Sequence, residues 1–178
     1  IRAFMKDNHF VSDEKTELAL DIAHREKELL SPLHTKEGYS LYIGIPFCPT
    51  RCLYCSFTSN PICAFEKEVG HYIECLKKEL LYVKEAFKDK TLDTVYIGGG
   101  TPTTLSAKQL DELISFVEEH FDLSHLLEFT VEAGRADSIT EEKLQVLHDH
   151  RIDRISVNPQ TMKDETLKLI GRQHSVEQ

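Results

Sequence analysis

Tyr39-Ser40-Leu41-Tyr42-Ile43-Gly44-Ile45-Pro46 runs directly into Phe47-Cys48-Pro49-Thr50-Arg51-Cys52-Leu53-Tyr54-Cys55. The first stretch is β-branched and aromatic, and it predicts a strand over 39–45 ended by Pro46. The second places three cysteines at C-x3-C-x2-C spacing in a single loop. Outward from this point the chain alternates. A helix is predicted over 64–87, with Ile73, Leu76, Leu80, Leu81 and Val83 apolar. A short buried strand over 94–97 ends in Gly98-Gly99-Gly100. A helix over 106–121 is N-capped by Ser106 and carries Leu110, Leu113, Ile114 and Val117 on one face. A strand over 127–132 leads to a helix over 140–150, where Thr140 and Lys143 supply half of a capping box. A strand over 154–157 and a helix beginning at 163–170 complete the pattern.

Four strands each followed by a helix imply an α/β fold with a parallel sheet and right-handed crossovers. The cysteine loop, the triple glycine, Glu132 and Gln160 each fall just after a strand. In parallel α/β folds that edge carries the active site. The expected architecture is a partial parallel (β/α) barrel of about four βα units, covering residues 39–178. Residues 1–38 form a separate segment. Its helix over 12–30 places Leu18, Ile22 and Leu29 on one face, Ser31-Pro32 stops it, and a linker runs through Gly38. The pattern reads as the N-terminal part of a longer domain.

The chain has 178 residues, 40% hydrophobic and 29% charged, with a formal charge of -9. That composition suits a globular protein with one sizeable core. The acidic balance excludes broad non-specific nucleic-acid binding, which needs a basic face. No run is apolar enough for a membrane span, and no secretory signal opens the chain. Clustered cysteines in such a chain suggest metal binding in a reducing, cytoplasmic compartment rather than a disulfide framework.

Three thiolates in one loop fit an iron–sulfur cubane with one iron left open for a ligand. From the spacing alone a structural zinc site, completed by a distant His or by Cys63 or Cys75, stands as the alternative. The flanking residues distinguish the two. The loop resembles the signature of the radical SAM superfamily, whose members cleave S-adenosylmethionine (SAM). Its lead-in, together with Ile97-Gly98-Gly99-Gly100-Thr101-Pro102-Thr103, resembles the branch holding oxygen-independent coproporphyrinogen III oxidase and a heme chaperone. Val131-Glu132-Ala133-Gly134-Arg135 and Asn158-Pro159-Gln160 are most similar to a second, bacterial type of coproporphyrinogen dehydrogenase.

The resemblance implies a [4Fe-4S] cluster on Cys48, Cys52 and Cys55, and one SAM with positions matching a second. Tyr42, Tyr54, Gly99, Glu132 and the glycine turn match SAM-contacting positions. Gly100, Thr101, Gln160 and Arg172 match positions that hold the second SAM. A side chain at Gly99 is expected to block SAM while sparing the cluster. The implied partners are a porphyrinogen substrate and an external electron donor, and the implied reaction is oxidative decarboxylation of propionates to vinyl groups. A heme-binding relative of the chaperone kind is the second reading. Two departures bear on that choice. Phe57 stands where the oxidase has a further cysteine, and Gly44 where it has a histidine.

Arg51, Arg135, Arg154 and Arg172 are the candidate cations for a tetracarboxylate substrate. Cys75 reads as a small buried hydrophobe. The nine histidines show no metal spacing and read as surface or hydrogen-bonded residues; His148 and His150 lie near a helix C-terminus, where a cation is welcome. Protein purified without oxygen should therefore be brown, with iron and sulfide near about four each per chain. Stoichiometric zinc retained in iron-replete cells would instead favour the structural site.

Overall fold

The computed structural model describes residues 1–150 and 152–177. It divides into two compact units, Ile1–Lys36 and Glu37–Gln178. The first holds helices α1 (Arg2–His9) and α2 (Asp13–Leu30). Ser12 begins α2 by accepting from the Lys15 amide, and Arg2–Glu17 and Lys6–Asp13 ion pairs join the two helices. The apolar residues Leu18, Ile22 and Leu29 of α2 are exposed rather than buried.

The second unit is built on strands β1 (Gly38–Ile45), β4 (Thr91–Gly99), β5 (Glu128–Glu132) and β6 (Arg154–Ser156), all parallel and in that order. A two-stranded parallel pair, β2 (Phe47–Cys48) and β3 (Asn60–Pro61), flanks the first strand. The connections carry α3 (Ile62–Phe65), α4 (Val69–Ala86), α5 (Ala107–His120), α6 (Glu141–Asp149) and, after β6, α7 (Asp164–Leu169). Parallel neighbours cannot be joined by a tight hairpin, and each crossover within the four-stranded sheet carries a helix. The expected α/β fold with four parallel strands is the one observed.

The core follows from the periodicities. Ile43, Ile45, Val95, Ile97, Phe129 and Val131 are buried from the strands. They meet Ile73, Leu76 and Leu80 of α4 and Leu110, Leu113, Ile114 and Val117 of α5. Ser106 forms a full capping box with Gln109, stronger than the single cap expected. Two boundaries differ from the sequence reading. β4 runs over Thr91–Gly99 because it pairs with β1 from Gly38 opposite Thr91 to Ile45 opposite Gly99, with a register shift that leaves Asp93 unmatched. Pairing of this kind overrides the weak local propensity of the glycines. The predicted helix over 64–87 is interrupted, with α3 and α4 separated by a turn over 66–68. Among the described residues, no helix is long and apolar enough to cross a membrane.

His150, just beyond α6, sits between two carboxylates. Its Nδ1 lies 2.9 Å from Glu118 Oε2 and its Nε2 3.0 Å from Asp111 Oδ1, both on α5. Burial opposes its charge, but hydrogen bonds to Glu118 and then Asp111 outweigh that and raise its pKa. A raised folded-state pKa means that the stabilisation is complete below the unfolded pKa, about 6.5, and is lost as pH rises through the folded value. The margin of wild type over His150→Gln in urea unfolding should therefore be larger at about pH 5.5 than at about pH 9, by roughly 1 kcal/mol or less because Asp111 is exposed.

Candidate active site

The cysteine loop is attached to the glycine turn by the backbone. The Gly100 amide donates to the Ile45 carbonyl at 2.7 Å and the Thr101 amide to the Phe47 carbonyl at 2.8 Å. A Cβ on Gly100 would come within 2.6 Å of the Phe47 oxygen and 3.0 Å of Cys48 Sγ. Gly99 has φ +106°, and its Cβ would meet Ile45 N and O at 3.0 Å. These glycines are therefore needed where two backbones cross, a close approach that a side chain prevents. A valine at Gly99 would push on Ile45 at the root of the cysteine loop, so that substitution acts on the fold and cannot be expected to spare the cysteines. Gly44 is different: its Cβ would meet only the Tyr42 ring, at an ordinary 3.6 Å.

The other side of the loop is held by the chain after α7. Leu53 N donates to Ile170 O at 3.1 Å and Thr50 Oγ1 to Gly171 O at 3.1 Å. Gly171, in the left-handed region at φ +82°, allows this contact; nothing in its local sequence pointed to the site. The result is three free thiols on one loop, with Cys48 buried and Cys52 and Cys55 half-buried. Cys48 Sγ lies 3.3 Å from the Thr101 hydroxyl. Burial pushes this thiol up, and the Thr101 hydrogen bond and the Arg135 charge pull it the other way.

The candidate cluster and SAM residues line one cavity of about 200 Å³ at the carboxyl edge of the sheet: Cys48, Cys52, Cys55, Tyr42, Tyr54, Gly99, Gly100, Thr101, Glu132, Gln160 and Arg172. Gln160 adopts φ +69°, a conformation rare for a residue with a side chain. A larger cavity of about 540 Å³ opens at the opposite end of β1 and β4, beside Tyr39, Phe87 and His125, and contains none of them.

Arg172 is buried. Its Nη1 donates to Gly134 O at 2.9 Å and its Nη2 to the Tyr54 hydroxyl at 3.0 Å, while Nε has no partner among the described residues. Of the other arginines, Arg135 pairs with Asp137, and Arg154 pairs with Glu128 at the start of β6. Arg154 is thus at the far end of its strand, away from the cavity, and is withdrawn as a local cation. Arg51 is exposed on the cysteine loop.

Several supporting residues escaped the sequence reading. Tyr96 donates to Glu132 Oε1 at 2.6 Å, and this bond to the carboxylate, then burial, pushes the phenol up to about 12. Tyr42 stacks on Tyr96 at 5.8 Å. Gly98 makes room for the pair, since its Cβ would fall 2.6 Å from the Tyr96 ring and 3.2 Å from Glu132 Cδ. The alternation of Tyr96 and Gly98 on one strand face was the available signal. Lys143 donates to Thr103 O at 2.6 Å and Ser138 O at 2.9 Å, which ties the glycine turn to the turn after β5. Two readings are corrected. His174 is buried, its ring nitrogens without partners among the described residues. Cys75 is half-exposed, 3.7 Å from His71 Nε2.

The glycine geometry separates two substitutions. Gly100→Ala should lower stability by roughly 1–3 kcal/mol by overpacking on the Phe47 carbonyl. Gly70→Ala, whose Cβ meets nothing within 4 Å on α4, should raise it by a few tenths to about 1 kcal/mol. Chemical denaturation of both variants checks the contrast, and equal effects would contradict it.

Comparison with known proteins identifies the family. Residues 42–178 match the family model described as the radical SAM superfamily. The chain is 44% identical over 180 residues to the oxygen-independent coproporphyrinogen-III oxidase-like protein HemZ of Bacillus subtilis, covering 99% of this chain and 36% of that protein. It is 42% identical over 136 residues to the heme chaperone HemW of Lactococcus lactis, covering 76% of this chain and 34% of HemW. The chain thus spans about a third of the length of these curated relatives. In fold it resembles the coproporphyrinogen III oxidase HemN of Escherichia coli, with a TM-score of 0.69 at 24% identity over 84% of this chain and 34% of HemN. The match over 42–178 takes in the cysteine loop, the glycine turn and every strand edge that lines the cavity, and by it the chain belongs to the radical SAM superfamily.

Proposed function

We propose that this protein holds a [4Fe-4S] cluster on Cys48, Cys52 and Cys55, binds SAM beside it, and oxidatively decarboxylates coproporphyrinogen III to protoporphyrinogen IX in porphyrin biosynthesis. The observation that carries the reading is the convergence of three free thiols, the glycine turn, Glu132, Gln160 and Arg172 on one cavity. The donor set suits a cluster better than a single ion. A structural zinc site takes four ligands, whereas three thiols of one loop line this cavity, the number that leaves one iron of a cubane open to a ligand. A cubane spreads its thiolates over separate irons.

When bound, the reduced cluster and SAM supply a 5′-deoxyadenosyl radical, the species able to take a hydrogen from a propionate side chain. The protein's part is positioning. Glu132, oriented by the Tyr96 hydroxyl, presents a carboxylate to an amino or hydroxyl group of SAM. Arg172, with a buried Nε still to be satisfied, is suited to a carboxylate such as that of a second SAM. Its bond to the Tyr54 hydroxyl orients the aromatic ring assigned to the SAM adenine. The one-third overlap with an oxygen-independent coproporphyrinogen-III oxidase-like relative points the same way. Phe57, which lines the cavity where a further cysteine was possible, and the similarity to a heme chaperone favour the second reading, a protein that carries heme.

The deciding assay is anaerobic incubation of the reconstituted full chain with coproporphyrinogen III, SAM and a chemical reductant. Vinyl product is expected. SAM cleavage without vinyl product, together with tight stoichiometric heme binding, would establish the chaperone instead. Arg172→Ala should weaken binding of the second SAM by roughly tenfold to a hundredfold at unchanged cluster content. Arg172→Lys, which keeps the charge, should lose less.

A further inference from the structure

We infer that Arg135, braced by Asp137, sets the reduction potential of the cluster through Cys52. The inference rests on the assignment of Cys48, Cys52 and Cys55 as cluster ligands. Arg135 is 2% exposed, on the turn that follows β5. Its Nη1 donates to the Thr50 carbonyl at 3.0 Å and meets Cys52 Sγ at 3.5 Å. Its opposite edge grips Asp137, Nε to Oδ1 at 2.9 Å and Nη2 to Oδ2 at 2.5 Å.

The arrangement is directional. A guanidinium keeps its charge at any pH the fold survives, and its rigid fork fixes which edge faces which partner. Here the carboxylate takes one edge and the sulfur the other. The pair is therefore a buried dipole with its positive end towards a cluster ligand. Asp137 offsets the cost of burying the cation, while the low-dielectric surroundings preserve its field at Cys52. The Nη1 that anchors the Thr50 carbonyl also meets Cys52 Sγ, so the contact that ties the turn to the cysteine loop carries the charge to a ligand sulfur.

The step affected is the transfer of one electron from an external low-potential reductant to the cluster, with no bond made or broken and no proton moved. The cluster core gains one negative charge. A positive end and a hydrogen bond at a ligand sulfur both favour the form carrying the added electron. Arg135 thus makes the cluster easier to reduce, and Asp137 tempers that effect. Arg135 is a positioning and field-setting residue; it need not touch the substrate.

The two partners should act with opposite signs, which a purely structural role would not produce. In the full chain, reconstituted anaerobically, Arg135→Gln should lower the cluster midpoint potential in an EPR-monitored titration. The expected change is about tenfold in the reduced-to-oxidised ratio at a given potential, or about 59 mV for a one-electron couple. Asp137→Asn should raise the potential, with iron and sulfide per chain unchanged. Should Arg135→Gln fail to hold a cluster, the upward shift in Asp137→Asn still tests the inference. Equal midpoints in wild type and Asp137→Asn, or shifts of one sign in both variants, would overturn it while leaving the cluster assignment intact. A wild type that forms no cluster would overturn the assignment itself, and this inference with it.

Discussion

Two backbone hydrogen bonds, from the amides of Gly100 and Thr101 to the carbonyls of Ile45 and Phe47, join the glycine turn to the root of the cysteine loop. The close approach that they require excludes a Cβ at Gly99 and Gly100 and brings Cys48 Sγ against the Thr101 hydroxyl. Without that crossing, the thiols and the glycine turn would belong to separate surface loops. The triple glycine is accordingly first a packing requirement between β1 and β4. Any ligand it cradles comes to a surface whose Gly100 and Thr101 amides are already engaged.

The rest of the site is layered outward from this crossing. Lys143 ties the glycine turn to the turn after β5 through Thr103 O and Ser138 O, and burial draws its pKa down. Arg135 and Asp137 connect that second turn back to the cysteine loop. Thr50 and Leu53 meet the chain just beyond α7. Each bond is modest alone, but a buried polar network of this kind is fully engaged or costly, so it specifies one arrangement of four loops. That arrangement brings thiols, a carboxylate and a cation to one edge although they are far apart in the chain.

Much of the fold was legible in the sequence because it rests on local patterns. β-branched and aromatic residues marked β1, and apolar residues at helical spacing marked α4 and α5. Ser106 announced a helix start by the chemistry of its hydroxyl. The candidate site residues were legible for a related reason: in a parallel sheet, residues just past the strand ends share one edge. The α2 stripe of Leu18, Ile22 and Leu29 shows the limit of such reasoning, since a helical apolar face predicts what can be buried and not what is.

What the sequence by itself determined was therefore the alternation of strand and helix, the α/β class, the cysteine spacing, and which residues lie at the carboxyl edge. The tertiary structure alone decided which partners those residues take. Tyr96 reaches Glu132 across neighbouring strands, and Arg135, held by Asp137, meets Cys52 more than eighty positions earlier. Arg154 was drawn to Glu128 at the far end of β6, and Arg172 to Gly134 and Tyr54. Local propensity acts over a few residues along the chain, whereas hydrogen bonds and charges act through a few ångströms of space. Only the packed sheet and its crossing loops convert the first kind of proximity into the second.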